Sequence, residues 1–524
     1  MRKIAAALAV LVALVVAAQV LLVRKDTEPS PLETLRARYA HKHQSPVDHS
    51  KFPQLRRAFT RPQEVTETCI SCHNGRAAQV MRSSHWRWER AEYIPGKGVR
   101  YVGKKNLLNN FCIGVAGSHQ SCNKCHIGYG WSGESFDFNN ASNVDCLACH
   151  DATGTYIKGA GAAGNPDPSV DLTEVAQHVG LPQRTNCGTC HFFSGGGNNV
   201  KHGDLEKALF DTTRNVDVHM ASDGADMSCV DCHTAENHQM KGKLYSISSM
   251  NRNRVQCEDC HGALPHAASI LNEHTLKVAC ETCHIPTYAK VNSTKLAWDW
   301  STAGRLRNGK PYEEKDALGD DVYMSIKGSF RWGRNLKPDY VWFNGTATHY
   351  LRGDKVDKVP VELNHLYGSY DDPDAKIIPV KIHRARQPFD EQNRIIVQPK
   401  LAGSHDGDGA FWRDFDWQKS AREGMKLVDL PYSGKLGFVE TQMTWPLNHM
   451  VAPKDQAVSC TECHTRNGSR LAGLTDFYLP GRDRNRRVDL FGSLMIGLAF
   501  AGAGLHGAAR VVTRRRKPRK EAEQ

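Results

Sequence analysis

Eight C-x-x-C-H pentapeptides, a hydrophobic content of only 40%, and an apolar run near each terminus lead to one fold class for this chain of 524 residues. The expected architecture is that of a multihaem c-type cytochrome: mainly short α-helices and irregular loops around a covalent haem core, with little β structure. Candidate membrane spans lie at both termini. The modest apolar fraction fits, because macrocycles rather than aliphatic side chains fill much of such an interior.

The motifs take 16 of the 17 cysteines. In each, two thiols form thioethers to the porphyrin vinyl groups: Cys69 and Cys72, Cys122 and Cys125, Cys146 and Cys149, Cys187 and Cys190, Cys229 and Cys232, Cys257 and Cys260, Cys280 and Cys283, Cys460 and Cys463. The next residue turns its imidazole onto the iron, which makes His73, His126, His150, His191, His233, His261, His284 and His464 the expected proximal ligands. Eight covalently bound haem c groups follow. Zinc knuckles are excluded, since they need paired C-x-x-C units and have no reason to place histidine fifth in every motif. The one cysteine left over is Cys112.

Haem is attached to this motif outside the cytosol, so the body is expected on the periplasmic side of a bacterial inner membrane. The formal charge of +12 does not point to nucleic acid. Residues 1–25 carry four net positive charges and residues 510–524 carry five, leaving +3 for the body. Sixteen propionates would turn that body acidic, and a nucleic-acid partner is rejected.

Taken in order, residues 1–25 are an export signal or an N-terminal membrane anchor, with the apolar run Ile4–Val23 between Arg2-Lys3 and Arg24-Lys25. Residues 26–66, with prolines at 29, 31, 46, 53 and 62, read as an extended linker arm. Residues 67–290 form a seven-haem domain with short helices expected after each motif. Residues 291–458 hold no motif but seven of the ten tryptophans, and contribute to the haem body. Within them Tyr323–Trp332 and Tyr340–Tyr350 read as short strands or loops. Residues 459–487 bring the eighth haem, 488–512 a transmembrane helix, and 513–524 a basic cytoplasmic tail by the positive-inside rule.

Of 25 histidines, eight lie in the motifs, which leaves 17 for the sixth positions of the irons. An iron with two imidazoles has no open site, so a catalytic chain leaves one iron with a displaceable or absent sixth ligand. The expected distal histidines are His85, His202, His219, His238, His266, His274 and His449, one short of the number of motifs. His349, His365 and His383 stand in reserve. His41, His43 and His49 in the arm and His506 in the apolar span are set aside.

Several stretches resemble the octahaem tetrathionate reductase family of c-type cytochromes, which is related to the hydroxylamine oxidoreductases. They are Asn109-Asn-Phe-Cys112, Gly128-Tyr-Gly-Trp131, Val144–Asp151 with Thr153–Tyr156, Val200-Lys-His-Gly-Asp204, Asp217-Val-His-Met220, Leu447–Pro453 and Pro480–Asp483. The resemblance runs from about residue 65 to 485. It implies an active haem at the second motif, with Lys201 as the distal iron ligand and Cys112 and Asn109 near the iron. A lysine binds iron only when neutral, so burial must lower its pKa. Asn198 stands where the resemblance leads one to expect an aspartate, and an amide cannot deliver protons.

The expected function is reduction of a small sulfur or nitrogen oxyanion: tetrathionate to thiosulfate, or nitrite or hydroxylamine. The alternatives are a non-catalytic electron-transfer protein and a hydroxylamine-oxidising relative. The expected partners are a small anionic substrate, a redox partner such as a membrane cytochrome b or a periplasmic cytochrome, and membrane lipid through the terminal helices.

Overall fold

The computed structural model of the protein describes residues 31–39, 47–242 and 248–515. The N-terminal apolar run, most of the proline-rich arm with His41 and His43, and the final basic residues lie outside them. The chain divides into two compact units, one ending at Val458 and one beginning at Ser459.

Seven of the eight motifs sit in or at the end of a short helix rather than ahead of one, which corrects the expectation of helices following the motifs; in the second only Cys122 is helical, and the chain continues as a 3-10 turn over Asn123–Cys125 into an extended His126. The helices are Pro62–Cys72, His119–Cys122, Leu147–His150, Arg184–His191, Cys229–Cys232, Glu258–His261, Cys280–His284 and Cys460–Cys463. The reason is geometric: in a helix, positions i, i+3 and i+4 share one face, so both thiols and the imidazole project together. Several are too short to persist alone and are closed at their N-termini by side chains. Ser228 with Asp231 and Ser459 with Glu462 form reciprocal capping boxes.

The expectation of little β structure is also corrected. The motif-free segment folds into a nine-stranded sheet: β1 (Thr294–Asp299), β2 (Glu313–Lys315), β3 (Asp321–Met324), β4 (Gly328–Gly333), β5 (Asp339–Phe343), β6 (Val361–Glu362), β7 (Lys376–Asp390), β8 (Ile395–Ile396) and β9 (Leu436–Pro446). The order is β6-β9-β7-β1-β4-β3-β2, and β5 and β8 also pair with β7. The spine is the antiparallel ladder of β7 and β9, in register from Val380 opposite Pro446 to Asp390 opposite Leu436.

Period-two patterning explains both strands. Along β7, His383, Ala385 and Gln387 are buried while Arg384 and Arg386 are exposed. Along β9, Val439, Thr441, Met443 and Trp445 are buried between less buried neighbours. The largest apolar cluster lies on this sheet, with Trp298, Trp300, Phe330, Phe411 and Trp445 packed around Phe111, Ile113 and Val200. The tryptophan-rich segment is therefore a platform beneath two of the stretches that carry the family resemblance.

In the second unit, the helix Arg486–Arg515 has 30 residues, a length of about 45 Å at 1.5 Å per residue. It is long and apolar enough to cross a membrane, and none of its apolar window is buried.

Candidate haem cavity and active site

The motif helices of the first unit open onto one continuous cavity of about 3370 Å³. Pockets for single small ligands run to about 1,000 Å³. Cysteines from all seven motifs of that unit line the wall.

Fit to haem is tested by the histidines. A metal–imidazole bond is about 2.0 Å, so two imidazoles on one metal put their ring centres roughly 6 Å apart. Six motif histidines face another histidine at that separation among the described residues. His73 faces His49 at 6.2 Å, His150 faces His238 at 6.5 Å and His191 faces His85 at 6.2 Å. His233 faces His449 at 6.3 Å, His261 faces His219 at 6.0 Å and His284 faces His266 at 6.2 Å.

The ring nitrogens agree with that geometry. Nδ1 of His150, His233 and His464 meets the carbonyls of Gly180 (2.9 Å), Lys241 (3.0 Å) and Pro480 (2.8 Å). Such a bond fixes the tautomer and leaves Nε2 for a metal. His274 does the same against Ile270 at 2.7 Å.

Two corrections follow. His49, set aside as part of the arm, stands opposite His73; no local pattern around it in the sequence marks it. His202, expected as a distal ligand, faces no motif histidine among the described residues. Its ring meets the edge of Trp445 at 5.1 Å, in the cavity wall beside Lys201.

The attachment cysteines also give the order of the sites. The side chains of Cys69 and Cys146 are neighbours, as are those of Cys125 and Cys190, Cys187 and Cys229, and Cys257 and Cys280. The first motif therefore abuts the third, the second abuts the fourth, the fourth abuts the fifth, and the sixth abuts the seventh.

The second motif departs from the others. The His126 ring is fully buried and does not line the cavity. Its Nε2, the nitrogen that would bind iron, donates to the Trp86 carbonyl at 2.6 Å, while Nδ1 is buried without a partner. Trp131 at 4.8 Å, Trp86 at 5.1 Å and Trp88 at 5.4 Å enclose the ring. Burial pushes its pKa down to about 3, so it is neutral. Lys158 holds the His126 carbonyl from behind and pairs with the buried Asp145 at 2.8 Å. The expectation that His126 is the proximal ligand is thus corrected: in this conformation Nε2 is already committed. Gly128-Tyr-Gly-Trp131 takes a physical meaning here. A Cβ on Gly128 would come within 2.8 Å of both the His126 ring and Trp86, and Trp131 forms a wall of the cage.

Lys201 is the half-buried amine on the cavity side. Burial, with Lys104 adding repulsion, lowers its pKa to about 7, so a large neutral fraction exists near neutrality. Its Nζ lies 4.5 Å from the centre of the Trp445 ring on β9. Lys381 on β7, fully buried, donates to the carbonyls of Val200 (2.8 Å) and Lys201 (3.0 Å) and to Thr294 Oγ1 (2.6 Å). Thr294 in turn donates to the Asn199 carbonyl at 2.6 Å. Three successive carbonyls are clamped by the sheet.

The same strand supports the Asn109–Cys112 turn. Gln387 Nε2 donates to the Asn109 carbonyl (2.9 Å), Asn110 Nδ2 donates to the His383 carbonyl (2.8 Å), and the Phe111 and His383 rings lie 4.1 Å apart. Asn109 Oδ1 accepts from the amides of Phe111 and Cys112, each at 2.9 Å, and so shapes the turn that presents Cys112 to the cavity. Burial pushes the Cys112 thiol up, and the charges of Lys327, Lys295, Lys104 and Lys201 oppose it. Asn198 is not part of this group. It does not line the cavity, and its Oδ1 accepts from the Lys207 amide at 2.8 Å, a loop contact an aspartate could also make.

Comparison with known proteins matches this picture. A family model described as bacterial cytochrome c matches residues 295–467, and one described as cytochrome c554 and c-prime matches residues 186–262. An uncharacterised protein of Archaeoglobus fulgidus is 27% identical over 243 residues, 37% of this chain and 80% of that protein. The crystal structure of an octaheme cytochrome c from Shewanella oneidensis is 42% identical, with a TM-score of 0.75, over 81% of this chain and 95% of that one. Covalent haem c and a multihaem redox role follow from that likeness. The chain belongs to the family of octahaem c-type cytochromes that the Shewanella structure represents.

Proposed function

We propose that the chain is a periplasmic, membrane-anchored oxidoreductase that reduces a small sulfur or nitrogen oxyanion at the second motif, with tetrathionate the first substrate to test. One haem on each of the eight motifs supplies the redox chemistry when bound. The observation that carries this reading is that Lys201, Cys112, Lys104 and Lys327 all line the cavity at the one motif in the first unit whose histidine is turned out of it.

Lys201 would hold the iron of a haem there in place of His126, and a single protein nitrogen would leave that iron free to take substrate, which the facing histidines at six other motifs would not. Lys104 and Lys327, both in the cavity wall, draw an anion towards Cys112. Reduction of tetrathionate by two electrons breaks its central S–S bond and releases two thiosulfates. Total charge rises from two negative to four, and the lysines stabilise that growing charge. Attack by a Cys112 thiolate on that bond would form a Cys112–thiosulfate disulfide and release one thiosulfate, and the two electrons would then free the second and restore the thiolate. With nitrite or hydroxylamine, protons must accompany the electrons. A reading as an electron-transfer protein without a substrate draws on the six facing pairs alone.

The test is Lys201→Ala, assayed in parallel on tetrathionate, nitrite and hydroxylamine with a reduced viologen donor. Turnover of the true substrate should fall at least tenfold, and the spectrum of one haem should change. Unchanged turnover and spectra would remove Lys201 from the site. Bis-histidine signals from all eight haems would favour the electron-transfer reading.

A further inference from the structure

The facing histidines differ in what holds their Nδ1 atoms. His150 and His233 use the backbone carbonyls of Gly180 and Lys241. His238 meets the Gln79 side-chain amide at 2.9 Å and His266 meets that of Asn272 at 3.2 Å. These partners are neutral. His449 instead donates to the carboxylate of Asp204 at 3.1 Å. Asp204 is 1% exposed and also accepts from the amides of Asn448 (2.8 Å) and His449 (3.0 Å), so three N–H groups converge on it. Among the described residues no other histidine of a facing pair bonds a carboxylate through its ring. The nearest case is His219, whose Nδ1 is 3.9 Å from Asp217, beyond hydrogen-bonding range.

A carboxylate on Nδ1–H pushes electron density through the imidazole to Nε2 and makes it a stronger donor to a metal. A stronger donor favours the oxidised iron. Burial keeps water from screening the effect. We propose that Asp204 lowers the reduction potential of the haem held by Cys229, Cys232, His233 and His449, and sets that haem apart from those at the other facing pairs.

The location gives the tuning a use. Cys229 neighbours Cys187, and Cys190 of that fourth motif neighbours Cys125 of the second. The tuned site is thus one motif removed from the Lys201 site, where a low potential favours passing an electron onward over retaining it. Asp204 also lies three residues after Lys201 in one clamped turn, so a single segment serves both sites. The inference rests on haem attachment and on no choice of substrate.

The test is a potentiometric titration of the haem-loaded protein, followed by optical and EPR spectra, on Asp204→Asn and Asn272→Asp. In Asp204→Asn, one low-spin component should move to higher potential while the others stay. Asn272→Asp places a carboxylate against His266, and one different component should move lower. Two results would overturn the proposal: a folded, fully loaded Asp204→Asn with every component unmoved, or all components shifting together. If Asp204→Asn fails to fold, Asn272→Asp decides, and no downward shift there sinks the idea. Failure of the oxyanion-reductase reading would leave these potentials untouched.

Discussion

The His126 ring is the residue on which the site turns. With Nε2 on the Trp86 carbonyl and indoles around it, the imidazole is kept from the cavity by packing that Gly128 alone permits. Gly128→Ala should push the ring off Trp86. Resonance Raman of the haem-loaded variant is then expected to show altered ligation at one haem, and an unaltered spectrum would refute the packing argument. His349 gives a second residue-scale expectation. Its side chain is buried, its Nε2 has no partner, and burial lowers its pKa from 6.5 to about 4. Between those values the unfolded chain takes up a proton that the folded one refuses, so stability falls as pH drops from about 6.5 to about 4. The loss across that interval is at most about 3 kcal/mol. His349→Leu should flatten that part of the stability curve in denaturant titrations at stepped pH.

At the scale of elements, β7 does the positioning. One buried row, Lys381, His383 and Gln387, reaches the Val200–Lys201 turn at one end and the Asn109–Cys112 turn at the other. These turns lie about 90 residues apart in sequence, and neither could hold its geometry alone. Lys381→Met keeps the bulk but leaves the Val200 and Lys201 carbonyls without their donor. Each buried acceptor left unmade costs about 1–3 kcal/mol. The melting temperature should fall, and the spectral feature lost in Lys201→Ala should weaken here too, although Lys381 is not itself proposed as a ligand. A fall in stability with an intact spectrum would reduce Lys381 to a packing role. The alternation along β7 and β9 was present in the sequence as His-Arg-Ala-Arg-Gln and Val-Glu-Thr-Gln-Met-Thr-Trp. The motifs outweigh it in a reading of the sequence, because covalent haem attachment points the fold class towards helices and loops.

At the scale of the whole molecule, the two units invite separate tests. Ending the chain after Asn485 removes Arg486–Arg515, whose apolar window is entirely exposed. The shortened protein should stay in solution without detergent, retain the same haem load by pyridine haemochrome and intact mass, and reduce substrate with a viologen donor as before. The full chain should partition into detergent. A shortened chain that aggregates or loses haem would show that the helix serves the fold. The mass measurement also checks the expected eight haems.

The sequence by itself determined the cofactor chemistry and its attachment points, since thioether formation needs two thiols and a histidine at fixed local spacing and nothing from the rest of the fold. It also brought Lys201, Cys112 and Asn109 into view, through resemblance. Tertiary structure decided what spacing cannot: which histidine faces which, that His49 reaches His73, and that His202 faces no motif histidine among the described residues. It also showed that His126, inside a complete motif, is turned away. Facing histidines lie up to more than 200 positions apart in sequence, and ring orientation depends on packing from Trp86 and Trp131, so local pattern is silent on both.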